Sequence, residues 1–334
     1  MKICIVGAGA IGGYMAIHLA NAGHKISVIA RGPHLAAIRK DGLRLIEADR
    51  EFTSSSITAT DLIGDLEVHD LVILALKAHQ IEAVVQDLPI LFGPDTVMIT
   101  LQNGIPWWYF QKLEGEFAGR VVTSVDPRGI LSQNINPDCL IGCIAYPAAT
   151  ISSPGIIRHI EGNRFPVGEL DGSGSDRVRQ ISAIFTEAGF KARVLDDIRS
   201  EIWLKLWGNL TFNPISALTH STLVDICQFP LSRELSTKMM TEAKAVAERL
   251  GASFRVSMER RINGAEAVGK HKTSMLQDVE AGKSLEIDGM LGAVVELAAA
   301  TGIEVPALQA LYACVSLLNR TIQEEKIKIA GESL

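Results

Sequence analysis

The sequence feature that most constrains the fold is a glycine-rich turn directly after the first predicted strand. Residues 2–6 read Lys-Ile-Cys-Ile-Val, a nearly all-apolar run typical of a strand buried on both faces. The turn Gly7-Ala8-Gly9-Ala10-Ile11-Gly12 follows, and helical spacing then extends over 11–22. A second strand is predicted at 26–30, so the turn lies in a β-α-β unit of about 30 residues.

Each glycine of this turn has a physical reason. Gly7 permits a tight turn, Gly9 lets the backbone approach a pyrophosphate, and Gly12 lets the helix pack closely on the strand. The free N–H groups at the start of the helix then face an anion. We therefore predict that the turn binds a dinucleotide through Gly7, Ala8, Gly9, Ala10, Ile11 and Gly12. The alternative is an ordinary glycine-rich turn without a ligand.

The end of the second predicted strand indicates which dinucleotide is bound. An NAD site places Asp or Glu about 20 residues after the glycines, where the carboxylate binds the ribose 2′-hydroxyl. This chain has Ala30-Arg31-Gly32-Pro33 at that place. A guanidinium group there favours a 2′-phosphate, so Arg31 predicts NADP(H) as the cofactor. The alternative is that Arg31 is a surface arginine.

The remaining pattern predicts two domains. Strands are expected at 43–47 and 52–58 as an antiparallel pair, and at 71–76 and 97–101, with a helix between them to about residue 87. Further short strands follow at 121–125, 139–145, 156–160 and 164–168 as antiparallel additions to the edge of the sheet, and a last strand follows at 191–195. The fold class is thus α/β, a Rossmann-type doubly wound sheet with added edge strands, over residues 1–196. Residues 197–334 are predicted to form an all-helical domain, with long helices interrupted by Pro214, Pro230 and Pro306.

Composition excludes several classes of protein. The formal net charge of −6 argues against a surface that coats nucleic acid, since phosphate binding needs a basic face. No apolar run reaches the roughly 18 residues that span a bilayer, and the N-terminus has no adequate signal sequence. We therefore expect a cytoplasmic protein with no membrane or nucleic-acid partner. The five cysteines indicate neither a disulfide framework nor a metal site.

A helical segment carries the candidate chemistry. Lys205, Asn209 and Asn213 are spaced four residues apart, so they share one face of a helix that is otherwise mostly apolar. Burial beside two amides would lower the pKa of the lysine into a range useful for proton transfer. The alternative is a surface lysine whose stem covers apolar neighbours.

Two later segments add polar candidates. Ser274 begins the run Ser-Met-Leu-Gln-Asp, and Glu286 lies in Ser284–Gly289, which opens a helix. An early carboxylate suits the positive end of a helix, so Glu286 is either a helix-stabilising residue or a site residue.

Together these segments resemble the ketopantoate reductase (2-dehydropantoate 2-reductase) family. The matching pieces run in family order over nearly the whole chain: Gly7–Gly12, Arg31, Leu76–Ala78, Gln102–Gly104, Glu201–Leu206, Asn209, Asn213–Pro214, Ser274–Asp278 and Glu286–Gly289. The resemblance implies NADPH-dependent reduction of ketopantoate to pantoate, a step towards pantothenate and coenzyme A.

The resemblance also implies a role for each site residue. Lys205 is the expected general acid, and Glu286 is expected to orient the substrate, the lysine or the cofactor ribose. Lys77 and Asn103 are expected to line the cofactor groove. Asn103, Asn209, Asn213 and Ser274 are expected to hold the substrate.

The chain departs from the family pattern in two places, which leaves the identity of the 2-keto acid open. The first is the aromatic run Trp107–Phe110, which either packs in the core or lines the pocket. The second lies in 121–130, where Asp126, Pro127 and Arg128 stand in place of small residues. Arg128 either binds a substrate carboxylate or is an exposed turn residue. The alternatives are a related NADP-dependent reductase of another 2-keto acid and a dinucleotide sensor without turnover. The apolar helices would suit either a homodimer interface or an internal core.

Overall fold

In the computed structural model, which describes residues 1–327 and 329, the chain forms two compact units. The first unit comprises residues 1–102, 110–119 and 129–198, and the second comprises 103–109, 120–128 and 199–334. Two short segments that precede residue 196 in the chain therefore belong by their contacts to the helical unit. The functional division at residue 196 stays a prediction.

The first unit contains the strands and four helices within the described residues. The strands are β1 (Lys2–Val6), β2 (Lys25–Ile29), β3 (Leu43–Glu47), β4 (Arg50–Ser54), β5 (Thr58–Thr60), β6 (Leu71–Leu74), β7 (Val97–Thr100), β8 (Leu140–Cys143), β9 (Ala148–Ser153), β10 (Ile156–Glu161) and β11 (Val167–Gly168). The helices are α1 (Ala10–Asn21), α2 (Gly32–Asp41), α3 (Ile130–Asn134) and α4 (Asp176–Glu187).

The main sheet of the described chain has seven strands in the order β11-β8-β7-β6-β1-β2-β5. All neighbours pair in parallel except β11, which is antiparallel to β8. The strands β6 and β7 and most of β1 are fully buried, as their apolar sequences predicted. The chain runs outward from β1 in one direction and then continues from β6 in the other, so the strand order reverses between β1 and β6. In open α/β sheets, ligands bind at the carboxyl ends of the strands beside such a reversal. The predicted Rossmann-type fold class is confirmed.

The placement of the added strands differs from the prediction. The strand predicted at 156–160, β10, does not extend the main sheet. Together with β3, β4 and β9, which the sequence analysis did not predict, it forms a second sheet in the order β4-β3-β10-β9. Helix α1 packs against strands of both sheets, which explains why its residues 12–17 and Leu19 are buried. Only β8 and β11 join the edge of the main sheet, and β8 does so in parallel.

Three further local predictions were wrong. Residues 121–125 form a turn instead of a strand. In place of one helix to residue 87, the chain forms short 3₁₀ helices at 78–80 and 88–91 with turns between them. Residues 191–195 make isolated bridges to 164 and 167 without forming a strand. Apolar content alone misled the prediction in each case, because it marks burial without fixing the hydrogen-bond pattern.

The second unit is helical. Its helices are α5 (Ile198–Thr219), which begins at the unit boundary, α6 (Leu223–Gln228), α7 (Pro230–Arg249), α8 (Met258–Ala267), α9 (Ser274–Glu280), α10 (Ala293–Thr301) and α11 (Pro306–Glu325). Pro214 lies inside α5 and does not end it, contrary to the prediction. The buried neighbours Phe212, Ile215 and Ala217 show that packing holds the helix on both sides of the proline, which offsets the lost hydrogen bond.

Among residues 1–327 and 329, no helix has both the length and the apolar character needed to cross a membrane. The same part of the chain contains no cluster of three or more His, Cys, Asp or Glu side chains suited to a metal ion.

Candidate active site

The glycine-rich turn has the geometry that a pyrophosphate needs. The amides of Gly7 and Ala8 donate to the carbonyl of Ile29 at 3.2 and 2.9 Å, which ties the turn to the end of β2. A Cβ on Gly12 would lie 2.0 Å from the carbonyl oxygen of Gly7, so only glycine allows this close approach of helix and strand. A Cβ on Gly9 would meet nothing within 4 Å, so the backbone there borders open space. The residues of the turn therefore fit a dinucleotide phosphate.

The two predicted basic residues of the first unit follow strands on either side of β1. Arg31 is exposed and lies directly before α2, two residues after β2 ends. Lys77 is half-buried and lies three residues after β6 ends. Because the carboxyl ends of parallel neighbours meet at one edge, Gly7–Gly12, Arg31 and Lys77 all belong to the same edge of the sheet.

In the second unit, Lys205, Asn103 and Glu286 form a continuous hydrogen-bonded chain. The Nζ of Lys205 donates to Oδ1 of Asn103 at 2.7 Å. The Nδ2 of Asn103 donates to Oε2 of Glu286 at 3.1 Å. The three side chains are half-buried and come from positions separated by 102 and 183 residues. The amide thus connects an ammonium group to a carboxylate, with each amide atom facing the partner that suits it.

A backbone contact holds Asn103 and Glu286 near each other. The amide of Ile105 donates to the carbonyl of Gly289 at 2.7 Å. Gly104 has φ +89°, and a Cβ there would lie 2.0 Å from the Gly289 oxygen. Residues 288–292 form one π-helical turn, a form that occurs often at functional sites. The glycines after Asn103 and Asp288 therefore allow two backbone segments to touch, and sequence reasoning did not predict this contact.

Helix α5 is fixed on several sides, which holds Lys205 in place. The side chain of Glu201 is only 3% exposed and forms a two-pronged ion pair with Arg255. The indole Nε1 of Trp203 donates to the hydroxyl of Tyr109 at 2.8 Å. Buried polar groups that are paired in this way cost little, whereas an unpaired one costs about 1–3 kcal/mol.

The remaining predicted substrate residues are placed as follows. Asn209 is half-buried and Asn213 is 7% exposed, one and two turns after Lys205 on α5. The spacing of four residues puts the three side chains on one face, as predicted. Ser274 is the exposed first residue of α9.

The two departures from the family pattern have different structural explanations. Trp107, Trp108 and Tyr109 are at most 3% exposed, so the aromatic run packs in the interior. Arg128 is exposed, whereas Asp126 is buried.

Glu296 of α10 fixes the segment 120–128, a contact that the sequence did not indicate. Its carboxylate accepts hydrogen bonds from the amides of Thr123 and Ser124 and from the Ser124 hydroxyl at 2.6–2.8 Å. Burial alone would raise the pKa of Glu296, but these hydrogen bonds outweigh it and hold the pKa below the usual range.

A doubly wound sheet with this turn defines a dinucleotide-binding fold, and a lysine joined through an amide to a carboxylate supplies groups for proton transfer. Two family models match the chain: Ketopantoate reductase PanE/ApbA over residues 3–172, and its C-terminal counterpart over 197–319. The chain belongs to the ketopantoate reductase family.

Individual relatives agree with this assignment over nearly the full length. The chain is 48% identical over 319 residues to the 2-dehydropantoate 2-reductase of Mesorhizobium japonicum, covering 95% of this chain and 98% of that one. It is similar to a crystal structure from Ralstonia solanacearum described as a candidate ketopantoate reductase, with a TM-score of 0.91, 39% identity and coverage of 96% and 98%. A 2-dehydropantoate 2-reductase from Geobacter metallireducens has a TM-score of 0.83 at 26% identity, with coverage of 95% and 99%.

Proposed function

We propose that this chain is an NADPH-dependent 2-dehydropantoate 2-reductase, which reduces the keto group of ketopantoate to give pantoate. Membership in the family and near-full-length similarity to a relative of that name support the reaction. The observation that carries the catalytic part of the proposal is the chain of hydrogen bonds from Lys205 through Asn103 to Glu286.

The residues that would hold the cofactor are Gly7–Gly12, with Arg31 on the 2′-phosphate and Lys77 beside the dinucleotide. A Cβ on Gly9 would meet open space and the Arg31 side chain is exposed, so both are accessible to such a ligand. When bound, NADPH supplies the hydride that adds to the carbonyl carbon. The guanidinium of Arg31 would favour NADPH over NADH, because its charge complements a phosphate better than a hydroxyl.

Lys205 acts as the general acid in this proposal. As the carbonyl carbon accepts the hydride, negative charge develops on the carbonyl oxygen. The ammonium group of Lys205 stabilises that charge and donates its proton to the oxygen, which gives the alcohol. The carboxylate of Glu286 accepts from the same Asn103 amide, so it is joined to the ammonium through two hydrogen bonds. Asn103 orients the ammonium of Lys205 by accepting a hydrogen bond from one of its three N–H groups.

Substrate binding is assigned to the amide-bearing face of α5. Asn209 and Asn213, together with Asn103 and Ser274, would hold the carboxylate and hydroxyl groups of the substrate. Their neutral side chains can both donate and accept, which suits a ligand carrying both kinds of group.

Substitution of Lys205 by alanine tests the catalytic assignment. We expect Lys205→Ala to lose most of its turnover while NADPH affinity stays nearly unchanged. Lys238→Ala is the matched control, since Lys238 lies on α7 with its side chain 63% exposed and should leave activity unaffected. Near-normal turnover by Lys205→Ala would contradict the assignment.

Kinetics with both cofactors test the role of Arg31. Equal or better catalytic efficiency with NADH would contradict the preference for NADPH.

A second candidate function is reduction of a different 2-keto acid. The observation that favours it is the exposed Arg128 in a segment that departs from the family pattern. NADPH oxidation measured with ketopantoate and with a panel of other 2-keto acids distinguishes the two. Tight NADPH binding without oxidation by any keto acid would instead indicate a dinucleotide sensor.

A cytoplasmic location and a homodimer are further proposals. Gel filtration with light scattering tests whether the protein forms a dimer.

A further inference from the structure

His34 of α2 connects the glycine-rich turn to the second sheet. Its Nε2 lies 2.8 Å from the carbonyl oxygen of Ala8, and its Nδ1 accepts a hydrogen bond from the amide of Gly155 at 3.0 Å. Because the Gly155 amide is a donor, Nδ1 must be the unprotonated nitrogen, and Nε2 therefore carries the hydrogen that it donates to Ala8. Both contacts lie within the first unit.

The carbonyl of Ala8, to which His34 donates, lies one residue before the first carbonyl that accepts a helical hydrogen bond in α1. The carbonyl of the next residue, Gly9, accepts a helical hydrogen bond from Gly13 at 2.7 Å. A planar trans peptide points its C=O and N–H in opposite directions. A hydrogen bond that fixes the Ala8 carbonyl therefore also fixes the direction of the Gly9 N–H, away from His34.

The second sheet orients the imidazole ring. Gly155 lies in the turn between β9 and β10 and has φ +77°. A Cβ on Gly155 would lie 2.9 Å from the Cβ of Ala37, so this turn sits directly against α2. Burial lowers the pKa of His34, which favours the neutral ring that this arrangement requires.

We propose that His34 is a positioning residue for cofactor binding: it holds the Ala8–Gly9 peptide so that the Gly9 amide is presented to a dinucleotide phosphate. This inference rests on the proposed NADPH site at Gly7–Gly12. It gives the second sheet a role in cofactor affinity, because the turn that carries Gly155 orients the ring.

Three substitutions separate this role from general packing. In His34→Gln the side-chain amide nitrogen can reach the position of Nε2 and still donate to Ala8. In His34→Asn the side-chain oxygen replaces Nδ1, but no donor reaches Ala8. In His34→Ala both contacts are lost. We expect the Kd for NADPH, from fluorescence titration, to rise about five- to tenfold in the Asn and Ala variants, the equivalent of one hydrogen bond.

The remaining readouts complete the test. The Gln variant should bind NADPH within about threefold of the unsubstituted protein, given a retained donor. All three variants should keep kcat at saturating NADPH, because both hydrogen bonds given above for His34 lie within the first unit and serve the glycine-rich turn. Unchanged Kd in the Asn and Ala variants would overturn the inference, as would a Gln variant no better than Ala. If the unsubstituted protein fails to bind NADPH, both the proposed function and this inference are refuted. If it binds NADPH but the His34 variants bind equally well, only the inference about His34 is refuted.

Discussion

Replacing Asn103 by alanine should reduce catalysis much more than it reduces stability. The Asn103 amide accepts from Lys205 at 2.7 Å and donates to Glu286 at 3.1 Å, and both partners are charged. In Asn103→Ala neither charged group has its link to the other, so the ammonium of Lys205 loses a contact that fixes its rotamer. The ammonium of Lys205 would then occupy the position that stabilises the developing alkoxide for only part of the time.

The expected loss of kcat/KM follows from these two hydrogen bonds. A hydrogen bond to a charged group contributes about 1.5–3 kcal/mol, and we take the lower value because all three side chains are half-buried. The two contacts together then give about 3 kcal/mol in the transition state, which corresponds to a roughly 100-fold lower kcat/KM for ketopantoate. The free energy of unfolding should fall by about 1 kcal/mol or less, since water can replace the lost amide in the ground state.

Initial rates of NADPH oxidation measure the loss of kcat/KM, and urea unfolding measures the change in the free energy of unfolding. Asn134→Ala is a matched control, because Asn134 lies on α3 and its amide makes a local contact to the carbonyl of Ile130. Asn103→Asp should also lose activity, because it places a second carboxylate opposite Glu286. An Asn103→Ala enzyme with kcat/KM within about threefold of the unsubstituted protein would refute the reasoning, since a single lost hydrogen bond exceeds that factor.

Three other changes test separate parts of the structure. Gly12→Ala should raise the Kd for NADPH at least tenfold, an order-of-magnitude expectation, because its Cβ would clash with the Gly7 carbonyl and displace the turn; unaltered binding would contradict this. Glu296→Gln should lower the urea midpoint by an amount equivalent to about 1–2 kcal/mol, because the amide NH₂ cannot accept from the 123–124 backbone; an unchanged midpoint would count against it. Burial alone would raise the pKa of Glu169, but hydrogen bonds from Arg177 and Ser175 outweigh it and lower the pKa. The ion pair therefore stabilises the fold at neutral pH, and its contribution is lost as pH falls through the lowered pKa. Melting temperatures at falling pH should show this loss for the unsubstituted protein and not for Glu169→Gln, and parallel curves would disprove it.

The regular elements near the N-terminus could be predicted because their signals are local. The strand before Gly7, the helix after Gly12 and the face shared by Lys205, Asn209 and Asn213 all follow from spacing within a few residues. Errors arose where apolar residues did not specify a partner. The segment 121–125 has strand-like composition, yet its amides bind the side chain of Glu296 from a distant helix. Pro214 continues a helix because surrounding packing outweighs its local preference.

By itself, the sequence determined the βαβ unit, its glycine turn and the lysine face of α5, since each depends on the order and size of neighbouring residues. Tertiary structure alone decided that Asn103 lies between Lys205 and Glu286, and that β9 and β10 pair with β3 and β4 in a separate sheet. It also decided that His34 connects Ala8 to Gly155. These contacts join residues 26 to 183 positions apart, and the spacing of side chains along one segment carries no information about which distant segment folds against it.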